Sequence, residues 1–128
     1  MRILFLGDVV GISGCSKIMN NLLDQKKKNK IDFVIINAEN ADVTGVGLTK
    51  EICEDFFKCG VDVITTGNHV WDQKDIMKYI EKENRLLRPK NLFEPAPGKG
   101  FEIYNTMKNT KIGVLNLMGN VFMKKCDD

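Results

Sequence analysis

Five residues able to hold a cation or move a proton follow closely on apolar runs of the 128-residue sequence. Asp8 comes after Ile3 to Leu6 and Gly7, Glu39 and Asn40 after Phe33 to Ile36, and Asn68 and His69 after Val61 to Thr66. Taken singly, most have an ordinary use. Asp8 can cap a following helix, Asn40 and Asn68 tolerate the geometry of tight turns, and a lone imidazole (His69 is the only histidine) can simply pack or cap. Glu39 is harder to account for, because a carboxylate beside a buried strand needs a partner or a metal. Together, two carboxylates, two carboxamides and one imidazole form a hard donor set that suits Mg, Mn or Fe rather than a thiolate zinc site. A carboxylate such as Glu39 can bridge two ions. A pair of ions suits hydrolysis of a phosphate ester, with His69 beside them to protonate the leaving oxygen.

The elements that must position these residues follow a rhythm. Runs rich in Ile, Val and Phe read as strands buried on both faces, and a further run, Ile112 to Leu117, ends near Gly119 and Asn120. Between them lie amphipathic stretches. Ile18, Met19, Leu22 and Leu23 give one helix an apolar face, and the cluster Lys26, Lys27, Lys28 and Lys30 reads as its solvated end. Ile52, Phe56 and Phe57 mark a second helix, with Thr49 as N-cap and Gly60 as stop. Ile76, Met77 and Ile80 mark a third, with Asp72 as N-cap and Trp71 and Ile76 as a hydrophobic staple. Strand–helix alternation predicts an α/β fold with a parallel sheet. Ligands then bind at the carboxyl ends of the strands, which is where the five residues fall.

Arg85 to Gly100 holds all three prolines and reads as a long surface loop. After it, Phe101 to Asn105 and Lys111 to Leu117 read as an antiparallel pair. No Walker loop or GxGxxG is present, which argues against a Rossmann-like nucleotide binder. Gly45-Val46-Gly47 reads as a turn or as a source of N–H groups for an anion. Lys99, between Gly98 and Gly100, reads as a solvated loop lysine or as a charge for a phosphate.

Composition narrows the partners. Nineteen Lys and Arg against 17 Asp and Glu leave a formal charge of +2, which argues against binding a nucleic-acid polymer. No stretch approaches a membrane span or a signal peptide. The four cysteines form no CxxC pair and read as small apolar residues of a reducing cytoplasm.

Several segments, in order, resemble the YmdB-like metallophosphoesterases of the calcineurin-like superfamily. They are Gly7-Asp8-Val9-Val10-Gly11, Asn37-Ala38-Glu39-Asn40-Ala41, Gly45-Val46-Gly47-Leu48-Thr49 and Thr66-Gly67-Asn68-His69-Val70-Trp71-Asp72, with Arg88-Pro89, Pro97-Gly98-Lys99-Gly100 and Leu115-Asn116-Leu117. The resemblance implies a binuclear metal centre and phosphodiesterase activity, with a 2′,3′-cyclic nucleotide as substrate. Asp8 and Asn40 would hold the first metal, Glu39 would bridge, Asn68 would hold the second, and His69 would donate the proton. The family's usual arginines are replaced in the turn Gly14-Cys15-Ser16 and at Asn120.

The resemblance also implies that residues 1–128 are the N-terminal half of a two-sheet sandwich, a βαβαβ unit plus a β-hairpin. The other half would supply further histidine ligands, so the second metal site is expected to be incomplete in this chain. Half a sandwich leaves a sheet face and edge uncovered, and association with a missing half or with a second copy is expected. The competing expectation is a truncated, non-catalytic half-domain that binds metal or nucleotide weakly or acts through protein contacts.

Overall fold

A computed structural model describes residues 1–93, 95–123 and 126. Its first sheet holds four parallel strands in sequence order, β1 (Ile3–Leu6), β2 (Phe33–Asn37), β3 (Val63–Thr65) and β4 (Leu86–Leu87). Helices α1 (Gly11–Asn29), α2 (Lys50–Lys58) and α3 (Ile76–Ile80) make the connections. A separate antiparallel hairpin, β5 (Phe101–Asn105) and β6 (Lys111–Leu115), pairs Phe101 with Leu115 through Asn105 with Lys111.

The two-residue period of a strand sorts the central side chains into two cores. Val34, Ile36, Ile64 and Leu86 face the helices and pack with Leu22, Phe56, Ile76 and Ile80. Phe33, Val63 and Leu87 face the other way and are covered by Ile112 and Val114 of the hairpin. The α/β architecture expected from the alternation is therefore present, with a helical layer on one face of the sheet and a hairpin on the other.

Burial on both faces holds for β3 but not for β1, where Ile3 is 45% and Phe5 60% exposed. β1 is the sheet edge, and the hairpin's buried side chains cover strands β2 to β4 without reaching it.

The proline-bearing segment is also not wholly a surface loop. It opens with β4, whose two leucines are fully buried, and Pro89 is buried beside them. Arg88, only 3% exposed, ties the segment together by donating to the carbonyls of Pro89, Ala96 and Pro97. These carbonyls lie where three prolines supply no N–H groups of their own. A two-residue strand followed by Arg-Pro gives no periodic signal.

The helix ends divide similarly. The Thr49 hydroxyl accepts the Ile52 N–H, and Gly60 takes a φ of +99° after α2, a conformation suited to glycine. Asp72 is not the N-cap of the third helix, because α3 begins only at Ile76 and follows Asp75. Leu23 is half exposed, leaving Leu22, Ile18 and Met19 to face the core. Lys26 is not simply solvated, since its Nζ donates to Gly60 O at 2.6 Å and pairs with Asp62 at 3.4 Å. Among the described residues no helix is long and apolar enough to cross a membrane. The thiols of Cys15, Cys53, Cys59 and Cys126 are all free.

Candidate metal centre

Beyond the carboxyl ends of the strands, the backbone continues in a staircase of hydrogen bonds. Val9 N donates to Asn37 O at 3.0 Å, Ala38 N to Thr65 O at 3.1 Å, and Thr66 N to Leu87 O at 3.0 Å. Each turn is thereby held to the end of the next strand. Val10 bridges to Asn40, and Gly11 N donates to Asn40 O at 2.9 Å. The first two turns are thus in register, and Asp8 and Asn40 meet as a result. Asn40 Nδ2 donates to Asp8 Oδ2 at 2.9 Å.

Glu39 reaches towards the third turn. A Cβ on Gly67 would lie 2.1 Å from Glu39 Oε2 and 2.6 Å from Oε1, so the carboxylate rests on the bare glycine backbone. That glycine directly precedes Asn68 and His69. Glu39 Oε2 is buried and has no hydrogen-bond partner among the described residues, and the same is true of Asn37 Oδ1. A buried carboxylate oxygen without a donor calls for a cation, so Glu39 fits a metal ligand.

Asn68 and His69 sit half-buried in the turn after β3. His69 Nδ1 contacts Asp72 Oδ2 at 2.6 Å, which gives Asp72 a place in the site instead of the helix cap expected from the sequence. In the tautomer with Nδ1–H donating to the carboxylate, Nε2 would be the ring nitrogen left open to other partners. The structure thus joins Asp8 to Asn40 directly, seats Glu39 against Gly67, and puts Asn68 and His69 on the adjoining turn. Among the described residues, no three His, Cys, Asp or Glu side chains cluster as a metal-holding group. The candidate donors gathered here are in part carboxamides, Asn40 and Asn68.

The surrounding loop is built from its own polar groups. Asp42 Oδ2 accepts the Thr44 N–H at 2.9 Å and its hydroxyl at 2.7 Å, and these bonds hold the Asp42 carboxyl below the usual carboxylate range. Gly45 N donates to Asp42 O and Gly47 N to Glu39 O, so both glycine N–H groups are spent on the turn rather than offered to an anion. Lys99 pairs with Glu102.

Behind the third turn, buried Asn116 donates Nδ2 to Thr66 O at 2.8 Å and to Leu87 O at 3.1 Å. Sequence reasoning passes over Asn37, Asp72 and Asn116 as site residues. All three lie inside segments that resemble the family, and for Asn37 and Asn116 the available signal is a polar residue at the end of an apolar run.

The fold and these donors define a class: an α/β protein with an oxygen-rich candidate site at the carboxyl ends of a parallel sheet. The chain belongs to the YmdB-like protein family, whose model matches residues 4–128. It is 43% identical over 128 residues to a Bacillus subtilis 2′,3′-cyclic-nucleotide 2′-phosphodiesterase, covering all of this chain and 48% of that protein. A putative phosphatase/phosphodiesterase of Mycoplasma pneumoniae is 38% identical over 123 residues, 93% of this chain and 43% of the relative.

Among solved structures, a hypothetical protein from Thermus thermophilus superposes with a TM-score of 0.91 at 35% identity, covering all of this chain and 49% of that one. A crystal structure described as a novel phosphatase from Mycoplasma pneumoniae gives 0.88 at 36% identity, covering 100% and 47%. The chain therefore spans about half the length of the relatives it matches.

Proposed function

We propose that this chain carries the N-terminal half-site of a metal-dependent phosphodiesterase, acting on a small phosphodiester such as a 2′,3′-cyclic nucleotide. The observation that supports it best is the partnerless, buried Glu39 Oε2 seated on Gly67, beside the Asp8–Asn40 pair. The names of the relatives point the same way.

In this reading Asp8 and Asn40 would hold one divalent cation, Asn68 would hold a second, and the Glu39 carboxylate would serve both. Fe, Mn and Mg all suit the donors. When bound, such ions supply Lewis acidity and clamp the attacking and leaving oxygens. Residues 1–128 leave the second ion short of ligands, and the remainder would come from the rest of a domain about twice as long. The residues of this chain do the rest: Gly67 lets Glu39 approach closely, Asp72 holds the His69 ring, and His69 gives a proton to the leaving oxygen. A formal charge of +2 suits a small substrate held through metals better than a polymer held by a basic surface. Four free thiols suit a reducing cytoplasm.

A second reading has one observation of its own. Exposed Ile3 and Phe5 on the edge strand β1 favour a half-domain that acts by protein contact, with itself or with a second half.

Mn2+ titration of the chain, together with hydrolysis of bis-p-nitrophenyl phosphate, separates the two. The first reading expects Mn2+ binding and Mn2+-dependent turnover. Neither binding nor turnover would leave only the second.

A further inference from the structure

Asn37 ends β2 and lines, with Phe5, Thr65 and Asn116, a cavity of about 580 Å³ on the hairpin side. Its backbone carbonyl accepts the Val9 N–H at 3.0 Å, which ties it to the turn carrying Asp8. Its amide Nδ2 donates to Glu39 Oε1 at 3.5 Å. The other end of the amide is the anomaly: Asn37 Oδ1, like Glu39 Oε2, is buried without a hydrogen-bond partner among the described residues.

Rotating the amide by half a turn does not remove the problem. It would set Oδ1 against Glu39 Oε1, acceptor facing acceptor, and leave the N–H groups unpaired instead. The chemistry therefore favours the observed orientation, with two neighbouring residues each burying an oxygen that lacks a donor. Each such acceptor carries its full desolvation penalty, and one positive centre within reach of both would offset the two together.

We infer that Asn37 is a further binding residue of the divalent-cation site. Its Nδ2 steadies one oxygen of Glu39, and its Oδ1 faces the cation directly or through one water on that cation. This rests on the reading that Glu39 holds a cation. It adds a residue from the strand itself to a set otherwise drawn from the turns.

The test is Mn2+ titration of the 128-residue chain, read by the electron paramagnetic resonance of free Mn2+ and by the Mn2+-induced rise in Tm. Asn37→Leu keeps the approximate shape and removes both the oxygen and the Nδ2 donor to Glu39. It is expected to bind Mn2+ about tenfold more weakly or worse, with Tm in EDTA undiminished. Asn37→Asp keeps an oxygen and adds a charge beside Glu39. Its Tm in EDTA should fall, its Mn2+ affinity should match or exceed wild type, and its Mn2+-induced rise in Tm should be larger. Should Asn37→Leu fail to fold, the Asp variant decides alone, since an amide with a purely structural role predicts weaker binding there. Loss of Mn2+ binding on Glu39→Gln but not on Asn37→Leu overturns the inference alone. Binding unchanged by both variants, or absent from wild type, overturns the metal reading and this inference with it.

Discussion

Asn40 donates its side-chain amide to Asp8 across 2.9 Å, although the two lie 32 positions apart in the chain. The bond depends on the register of two parallel strands, carried past their ends by Val9, Val10 and Gly11. Because it crosses between turns and is partly open to water, its own worth to folding is only about 0.5–1.5 kcal/mol. Asn40→Ala is therefore expected to cost at most about 1.5 kcal/mol in urea denaturation, yet to weaken Mn2+ binding clearly. Unchanged Mn2+ affinity in that variant would remove Asn40 from the proposed ligand set.

Gly67 is a packing requirement rather than a turn requirement. A methyl group there would overlap the Glu39 carboxylate, with 2.1 Å to Oε2. Gly67→Ala should destabilise the chain by about 1–3 kcal/mol through overpacking and displace Glu39, abolishing Mn2+ binding. A Gly67→Ala protein with wild-type stability and Mn2+ affinity would show that Glu39 does not rest where the structure puts it.

In the proposed reading, His69 and Asp72 serve proton transfer and not metal binding. In a chain with measurable turnover, His69→Ala should lower kcat by about 10²–10⁴-fold while leaving Mn2+ stoichiometry intact. Asp72→Ala should give a smaller loss of kcat, also with metal content unchanged. Metal loss on His69→Ala would make the imidazole a ligand and sink its assignment as proton donor.

Asp42 gives a pH dependence whose sign is fixed. Its folded-state pKa lies below the ordinary value of 3.8, chiefly because the Thr44 N–H and then the Thr44 hydroxyl bond the charged form. The stability this contributes is present above the unfolded pKa and is lost as pH falls through the lower folded value. Asp42→Asn should accordingly flatten the acid limb of stability below about pH 4 without changing its shape near neutrality. An acid limb of unaltered slope in the variant would count against the effect.

Much of this is legible in the residues. Central strands such as Phe33–Asn37 carry enough Val, Ile and Phe to announce themselves, and Thr49 and Gly60 mark the ends of α2 through local chemistry. β4 is hidden because two leucines before Arg-Pro have no period to detect. The exposure of β1 escapes the sequence because an apolar run states its composition but not its place in the sheet, and edge position is a property of topology. Asp72 reads as a cap because Asp before a helical pattern is a strong local signal. The competing bond to His69 requires knowing that α3 starts later. Asp8, Glu39, Asn40, Asn68 and His69 can be picked out because each follows closely on a strand, whereas Asn37 is masked by belonging to the strand itself.

The staircase of backbone bonds from Val9 to Asn37, Ala38 to Thr65 and Thr66 to Leu87 has a kinetic consequence. Each step links residues 21 to 28 positions apart, and parallel pairing of this kind forms only after loop closure has been achieved. The site cannot preassemble on any single strand–helix unit. It comes into being when the four strands lock together, so amide exchange at Val9, Ala38 and Thr66 should slow as one cooperative group. The same three protons would report when, during refolding, the chain first acquires its site.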